Sequence, residues 1–237
     1  MMSSYRILNT RPAHQADEMT RLIENKGGFV FNLPVFDIQL VQFNADNLDK
    51  FDYVVFLSAN AVASYFKKQA LINGCAIAIG PATKSALEKI GIKNSILPSQ
   101  FNSEGVLLMP EMQFIKNKKI AIICGENSKS LLPETLKKRG ADINLIICYR
   151  RIPMIYDMSV VFKKLTDSNI NCIVSTSLES YFALLSLFKN VEYRTWLLKK
   201  TICVISDEMQ HQATTDGFSN VVQAGNATDE AIIRALA

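Results

Sequence analysis

Short apolar runs alternate along this chain with stretches in which apolar residues recur every third or fourth position. The runs read as strands, and the periodic stretches as amphipathic helices. Arg6 to Thr10 is the first strand. Pro12 opens a helix over Ala13 to Asn25, with Ala16, Met19, Leu22 and Ile23 on one face. Lys26-Gly27-Gly28 stops it, and Phe29 to Leu33 is the second strand. Together they form a β-α-β unit.

The same phrase returns later. Lys119 to Ile123 is a strand, Gly125 to Ser128 a turn, Ser130 to Lys138 a helix and Ala141 to Cys148 a strand. Gly28 to Leu33 then aligns with Gly140 to Leu145, an offset of 112. A second phrase also occurs twice. Asp52 to Asn60 leads into a helix ending near Lys68, and Asn171 to Glu179 into a helix ending near Phe188. Each is followed by a further strand, turn and helix: Ala76 to Thr83 into Lys84–Ile90, and Ile202 to Asp207 into Glu208–Thr215. Short extended pieces follow at Ser95–Leu97 and Asn220–Gln223. Closing helices begin at Ser103 and Thr228, both good N-caps with a carboxylate in the first turn.

The order is therefore A–B–A′–B′, and strands alternating with helices imply parallel sheets covered on both faces. Two stretches interrupt it at matching places, Leu33 to Ile38 and Ile147 to Pro153. Each carries a proline, which removes a backbone donor and biases its predecessor toward extended structure. Read as two crossings of one hinge, they predict an α/β protein of two doubly wound parallel-sheet domains. A two-stranded linker joins these, and the first domain is discontinuous. Domain 1 is then 1–33 and 155–237, the linker strands 34–50 and 149–154, and domain 2 51–148. A split into two consecutive domains near 115 is the simpler alternative.

Composition narrows the class. Of 237 residues 49% are hydrophobic and 20% charged, as in an ordinary globular protein. The net charge of +4 suits an acidic ligand, but Lys67-Lys68, Lys118-Lys119, Lys137-Lys138-Arg139 and Lys199-Lys200 are scattered. Such doublets read as solvated faces, and no nucleic-acid partner is expected. Neither a signal peptide at Met1-Met2-Ser3-Ser4-Tyr5 nor a membrane-spanning run is visible. The five cysteines, Cys75, Cys124, Cys148, Cys172 and Cys203, lie at or within strand-like runs with no zinc-site spacing. They read as reduced core thiols of a cytoplasmic protein.

Chemistry should sit in the turns after the strands, where open parallel sheets bind ligands. Those turns are Asn9-Thr10-Arg11, Ser58-Ala59-Asn60, Gly80 to Thr83, Gly125 to Lys129, Ser175 to Ser177 and Ser206-Asp207. Free N–H groups at helix starts beside hydroxyls and amides suit an anion with several carboxylates or phosphates. Helix capping alone accounts for any one of them, but nearly every turn has this character. A dinucleotide fingerprint, a P-loop and a nucleophile elbow are all missing. His14 and His211 read as exposed helix residues. Tyr149, at a strand end beside the linker, has a hydroxyl that can donate a proton to a leaving group, or simply packs there.

These pieces together resemble the uroporphyrinogen-III synthase family over essentially the whole chain. They are Thr10-Arg11-Pro12, Leu33-Pro34, Phe51 to Val62, Ile79 to Thr83, Asn102 to Gly105, Gly125 with Leu132 and Leu136 to Gly140, and Tyr149-Arg150-Arg151. The resemblance implies a lyase without cofactor that takes hydroxymethylbilane, expels its hydroxyl, inverts ring D through a spiro intermediate and closes the macrocycle. It implies Tyr149 as the catalytic residue that helps the hydroxyl leave. Ser58, Thr83 and Ser177 match hydroxyls of the substrate cleft, and Lys129 falls where some relatives place an arginine. Arg11 and Asn60 join them as substrate-binding candidates, and no metal ligand is implied. Met209 falls where some relatives carry a threonine. Arg150 and Arg151 read as solvated linker charges, with contact to substrate carboxylates as the alternative. A monomer is expected, with a transient contact to the preceding enzyme of the pathway and no membrane partner. A cytosolic two-domain sensor of an acidic metabolite, or a transferase using a nucleotide sugar, would share the architecture.

Overall fold

The structure is a computed structural model that describes residues 4–44, 48–67 and 74–237. Lys68, where the second helix was expected to end, lies outside these residues, as do 45–47 of the expected linker and Met1 to Ser3.

In chain order the elements begin with β1 (Arg6–Asn9), α1 (Asp17–Glu24), β2 (Phe29–Asn32), β3 (Phe36–Leu40), β4 (Tyr53–Phe56) and α2 (Ala59–Phe66). Then come β5 (Cys75–Ala78), α3 (Pro81–Lys89), α4 (Ser103–Leu108), β6 (Lys119–Gly125), α5 (Leu131–Lys138) and β7 (Asp142–Pro153). The last are α6 (Met158–Asp167), β8 (Cys172–Val174), α7 (Leu178–Leu187), α8 (Val191–Leu198), β9 (Thr201–Val204), α9 (Asp207–Thr215), β10 (Asn220–Gln223) and α10 (Asp229–Leu236). The chain forms two compact units, one of Met1–Asp37 with Ile152–Ala237, the other of Ile38–Arg151. The first is discontinuous, and the chain passes between the units within β3 and within β7.

The first unit holds the sheet β10-β9-β8-β1-β2, the second β3-β7-β6-β4-β5. All strand pairs of the first sheet are parallel, as are β7-β6, β6-β4 and β4-β5 of the second. At the β3–β7 edge, Met154 N–H donates to Val35 O and Val41 N–H to Cys148 O, so those strands run antiparallel. The duplication is visible in the strand order. β1-β2 and β6-β7 come from the A copies, β8-β9 and β4-β5 from the B copies, and each sheet pairs an A with the other B. The offset of 112 carries the pair Leu8↔Phe31 onto Ile120↔Ile143.

Successive strand residues face opposite sides, so a strand covered on both faces must be apolar throughout. Leu8, Ile173, Ile202 and Val204 pack against Leu184, Leu197 and Met209 on one face of the first sheet. Ile7, Cys172, Val174 and Cys203 pack against Met19, Ile23, Ile232 and Leu236 on the other. In the second sheet Val54, Phe56, Ala121 and Ile123 meet Ala61, Tyr65 and Leu87, while Val55, Ile120 and Ile122 meet Val106, Leu132 and Leu136.

Several local expectations shift. The first helix starts as a 3-10 turn at Ala13–Gln15, and α1 follows from Asp17. Asn102, not Ser103, caps α4: its side chain accepts from Gly105 N–H at 2.7 Å. Thr228 caps α10 through Ala231 N–H. Ser95–Leu97 forms a single bridge, Ile77↔Ile96, where β10 is a full strand. The largest change is β7, which continues past Cys148 through Tyr149 to Pro153. Pairing with β3 carries it on, and Pro153 sits at its last position, where a missing donor is tolerated. No helix among the described residues is long and apolar enough to cross a membrane.

Four cysteines are buried and Cys75 is partly exposed. Burial pushes the Cys148 and Cys203 thiols up to about 12, and raises Cys124, Cys172 and Cys75 as well. Thiols so raised stay protonated at pH 8 and react slowly. Ellman's reagent should therefore release at most one rapid equivalent from the native protein and all five after unfolding. Two or more rapid equivalents would contradict the buried positions.

Candidate functional site

The second unit places four of the expected residues at helix starts or in a turn. β4 ends at Phe56, and Ser58 caps α2, its hydroxyl oxygen accepting from Ala61 N–H at 3.0 Å. Asn60, one residue into α2, is 7% exposed. Gly80 precedes α3, Pro81 fills its first position, and Thr83 is buried in its first turn. Lys129 is exposed between β6 and α5.

Tyr149 lies elsewhere than an open strand end: it is 3% exposed, with its ring in the core beside Ala61 and Tyr65. A register shift puts it there. Cys124 pairs with Ile147, but Gly125 pairs with Tyr149, leaving Cys148 as an extra residue on β7. Such a bulge breaks the alternation of faces. Ile146, Cys148 and Tyr149 consequently all point to the α2 side of the sheet. The Cys148 thiol fits under the bulge, 3.5 Å from Cys124 O. The Tyr149 hydroxyl then lies 3.0 Å from Ser58 Oγ, at the N-terminus of α2.

Two further groups shape this phenol. The Arg151 guanidinium sits 5.7 Å from the ring centroid and donates to the hydroxyl at 3.4 Å. A Cβ on Gly125 would stand 2.7 Å from Tyr149 Cζ and 3.0 Å from its hydroxyl oxygen. Only a residue without a side chain lets the ring lie there. Glu126 N–H, donating to Tyr149 O at 2.9 Å, pins the backbone at the same point. Arg150 is exposed, and its Nε donates to Gln39 Oε1.

In the first unit Ser177 caps α7, accepting from Ser180 N–H and lying 2.8 Å from Ser180 Oγ. Arg11 is not open to a ligand, which corrects its place among the binding candidates. It is 6% exposed and ion-paired to Asp229 at the start of α10, with a second bond to Ala227 O at 2.7 Å. A buried guanidinium demands this partner, since a lone buried charge is costly. Met209 is a core residue of α9 and brings no polar group to its turn. His14 and His211 are exposed. Among the described residues no group of three or more His, Cys, Asp or Glu could hold a metal ion.

Fold and site define a class: duplicated α/β units presenting hydroxyls and helix N-termini beyond the carboxyl ends of parallel strands, with one buried phenol among them. The family described as uroporphyrinogen-III synthase HemD matches residues 17–234. The uroporphyrinogen-III synthase of Escherichia coli is 29% identical, over 97% of this chain and 99% of that protein. Two solved structures share the fold. The Helicobacter pylori uroporphyrinogen-III synthetase gives a TM-score of 0.60 at 15% identity, covering 97% of both chains. A mutant uroporphyrinogen III synthase of Thermus thermophilus gives 0.57 at 14%, covering 98% of this chain and 99% of the other. The chain belongs to the uroporphyrinogen-III synthase family.

Gly125 and Arg151 were not among the candidates drawn from sequence. A glycine at a strand end was the available signal for the first, and nothing in the sequence announces the register shift that brings Arg151 to the phenol. Gly125→Ala should displace the ring and destabilise the second unit by about 1–3 kcal/mol, the usual cost of overpacking. Denaturant unfolding measures it, and an unchanged midpoint would show that the ring moves aside freely.

Proposed function

We propose that this chain converts hydroxymethylbilane to uroporphyrinogen III with loss of water, and that Tyr149 supplies the proton for the departing hydroxyl. The observation that carries this reading is the 3.0 Å contact between the Tyr149 hydroxyl and Ser58 Oγ. Ser58 Oγ already accepts from Ala61 N–H, which leaves its own O–H free to donate to Tyr149. Arg151 donates to the same oxygen. Two donors on the phenol oxygen favour release of its own proton to a leaving group.

Proton transfer makes the leaving group water and breaks its C–O bond. The bilane becomes a cationic azafulvene and Tyr149 a phenolate. Arg151, the Ser58 hydroxyl and the N-terminus of α2 stabilise that phenolate at little reorganisation cost. The azafulvene methylene bonds ring D at its substituted α-carbon to give the spiro intermediate; the older bond from that carbon to the ring C methylene then breaks and leaves a second azafulvene. The free α-carbon of ring D bonds that methylene, and the proton it loses returns to the Tyr149 phenolate, which restores the aromatic pyrrole and the enzyme. Thr83, Asn60 and Lys129 serve as anchors for the carboxylates. Arg11 serves by fixing the start of α10. All these groups come from one chain, so the reading needs no second copy. A binding-only sensor finds no support in the family or its relatives.

The free bilane also closes without inversion, so the protein must favour one closure over another. A thousandfold preference requires only about 4 kcal/mol of differential barrier, within reach of orientation by dispersed hydrogen bonds. The test is to supply fresh hydroxymethylbilane, oxidise the products and separate the porphyrin isomers. Type III should dominate, and type I alone at the spontaneous rate would sink the proposal. Arg151→Gln should lower kcat about tenfold, with partial recovery in Arg151→Lys. A change confined to KM would instead make Arg151 a substrate anchor.

A further inference from the structure

The first unit finishes its sheet with β10, whereas at the equivalent edge of the second only Ile96 pairs with β5. Ile96 turns its own backbone inward: its N–H donates to Ala76 O and its carbonyl accepts from Ala78 N–H, both at 3.0 Å. Beside residues 95–99 the shortened edge leaves a cavity of about 500 Å³. Lys84 of α3 lines it, with the segment from Ser95 to Ser99 and the stretch from Leu108 to Glu111.

Two polar groups in this lining have no partner. Ser95 is 4% exposed and its hydroxyl makes no hydrogen bond. One carboxylate oxygen of Glu111 is buried and equally unpartnered. Buried polar atoms are nearly always paired, and two orphans in one cavity point to a ligand that supplies what the protein withholds. Both can be satisfied by N–H donors, and an ammonium carries three. The remaining charge has the opposite sign. Glu111 lies near Cys75, at the start of β5, and its charge helps raise that thiol. Lys84 stands in the helix that leaves the other end of β5. Between them the lining is apolar, with Leu97, Met109 and the exposed Leu108.

We propose that this cavity binds a small aliphatic amino acid. Its ammonium donates to Glu111 and Ser95, its carboxylate meets Lys84, and its carbon chain lies against Leu97, Leu108 and Met109. A neutral polyol would satisfy Ser95 but leave both charges without a counter-charge. None of these residues belongs to the Tyr149 site, so the inference stands or falls apart from the reaction assigned above. Occupancy would brace the second unit at its least-paired edge and stabilise it by mass action.

The test uses the full chain, labelled with nitrogen-15. Leucine and straight-chain ω-amino acids from glycine to 6-aminohexanoate are titrated in turn, following the amide signals of Ser95, Gly105 and Glu111. Alkylamines and alkanoates of matching length are the single-charge controls. One amino acid should give saturable shifts at those amides and bind at least about tenfold tighter than either control. Glu111→Gln and Lys84→Met should each weaken it about tenfold while keeping the wild-type thermal midpoint. Should Glu111→Gln fail to fold, Ser95→Ala takes its place. The proposal is overturned if no compound gives saturable shifts, if a control binds as tightly as the amino acid, or if the shifts fall elsewhere.

Discussion

The extra residue at Cys148 decides what the second unit can do. Side chains on a strand alternate between faces, so a regular β7 would turn Tyr149 to the face opposite Cys148. The register shift against Gly125 cancels one alternation and sends Tyr149 to the same side as Cys148. The contacts of the phenol with Ser58, Arg151 and Gly125 follow from that. Ser58 meets it because α2 starts on that face, Arg151 because it lies two residues further along β7, and Gly125 because the ring lies across it. The bulge is itself held, with the Cys148 thiol against Cys124 O and Glu126 N–H on Tyr149 O.

The two copies of the repeat differ at this point. β1 and β2 pair in register from Arg6↔Phe29 to Asn9↔Asn32 and stop, whereas β6 and β7 run further and shift register as they do so. One ancestral phrase thus serves two ends. In the first unit the turn after β1 holds Arg11, which ties the strand to α10 through Asp229. In the second, the turn after β6 leaves room for a tyrosine. The same comparison exposes the second unit's thin edge, where Ile96 alone replaces a strand. Copies with one strand order need not have one function.

Much of the fold was legible in the sequence. Strands such as Ile120-Ala121-Ile122-Ile123 are apolar on both faces, which parallel sheets demand. The capping serines Ser58 and Ser177 were equally legible, because a hydroxyl before a periodic stretch has a local meaning. What was not legible is non-local. Arg11 reads as an available cation until Asp229, more than two hundred residues away, is placed beside it. Tyr149 reads as the end of a strand because Tyr-Arg-Arg-Ile-Pro looks like a break, and only pairing with β3 keeps the strand going. A bulge has no signature in one sequence, since it depends on two strands agreeing to slip by one residue.

The central claim is that the buried phenol, held by Ser58 and Arg151, gives its proton to the departing hydroxyl. Single-turnover cyclisation by Tyr149→Phe, beside its unfolding midpoint and its affinity for substrate, tests this most directly. Phenylalanine keeps the ring in its place against Gly125 and removes only the hydroxyl. The account predicts a folded protein that binds substrate normally and turns it over about a hundredfold more slowly, the low end of what a general acid contributes. Full activity in that variant would contradict it.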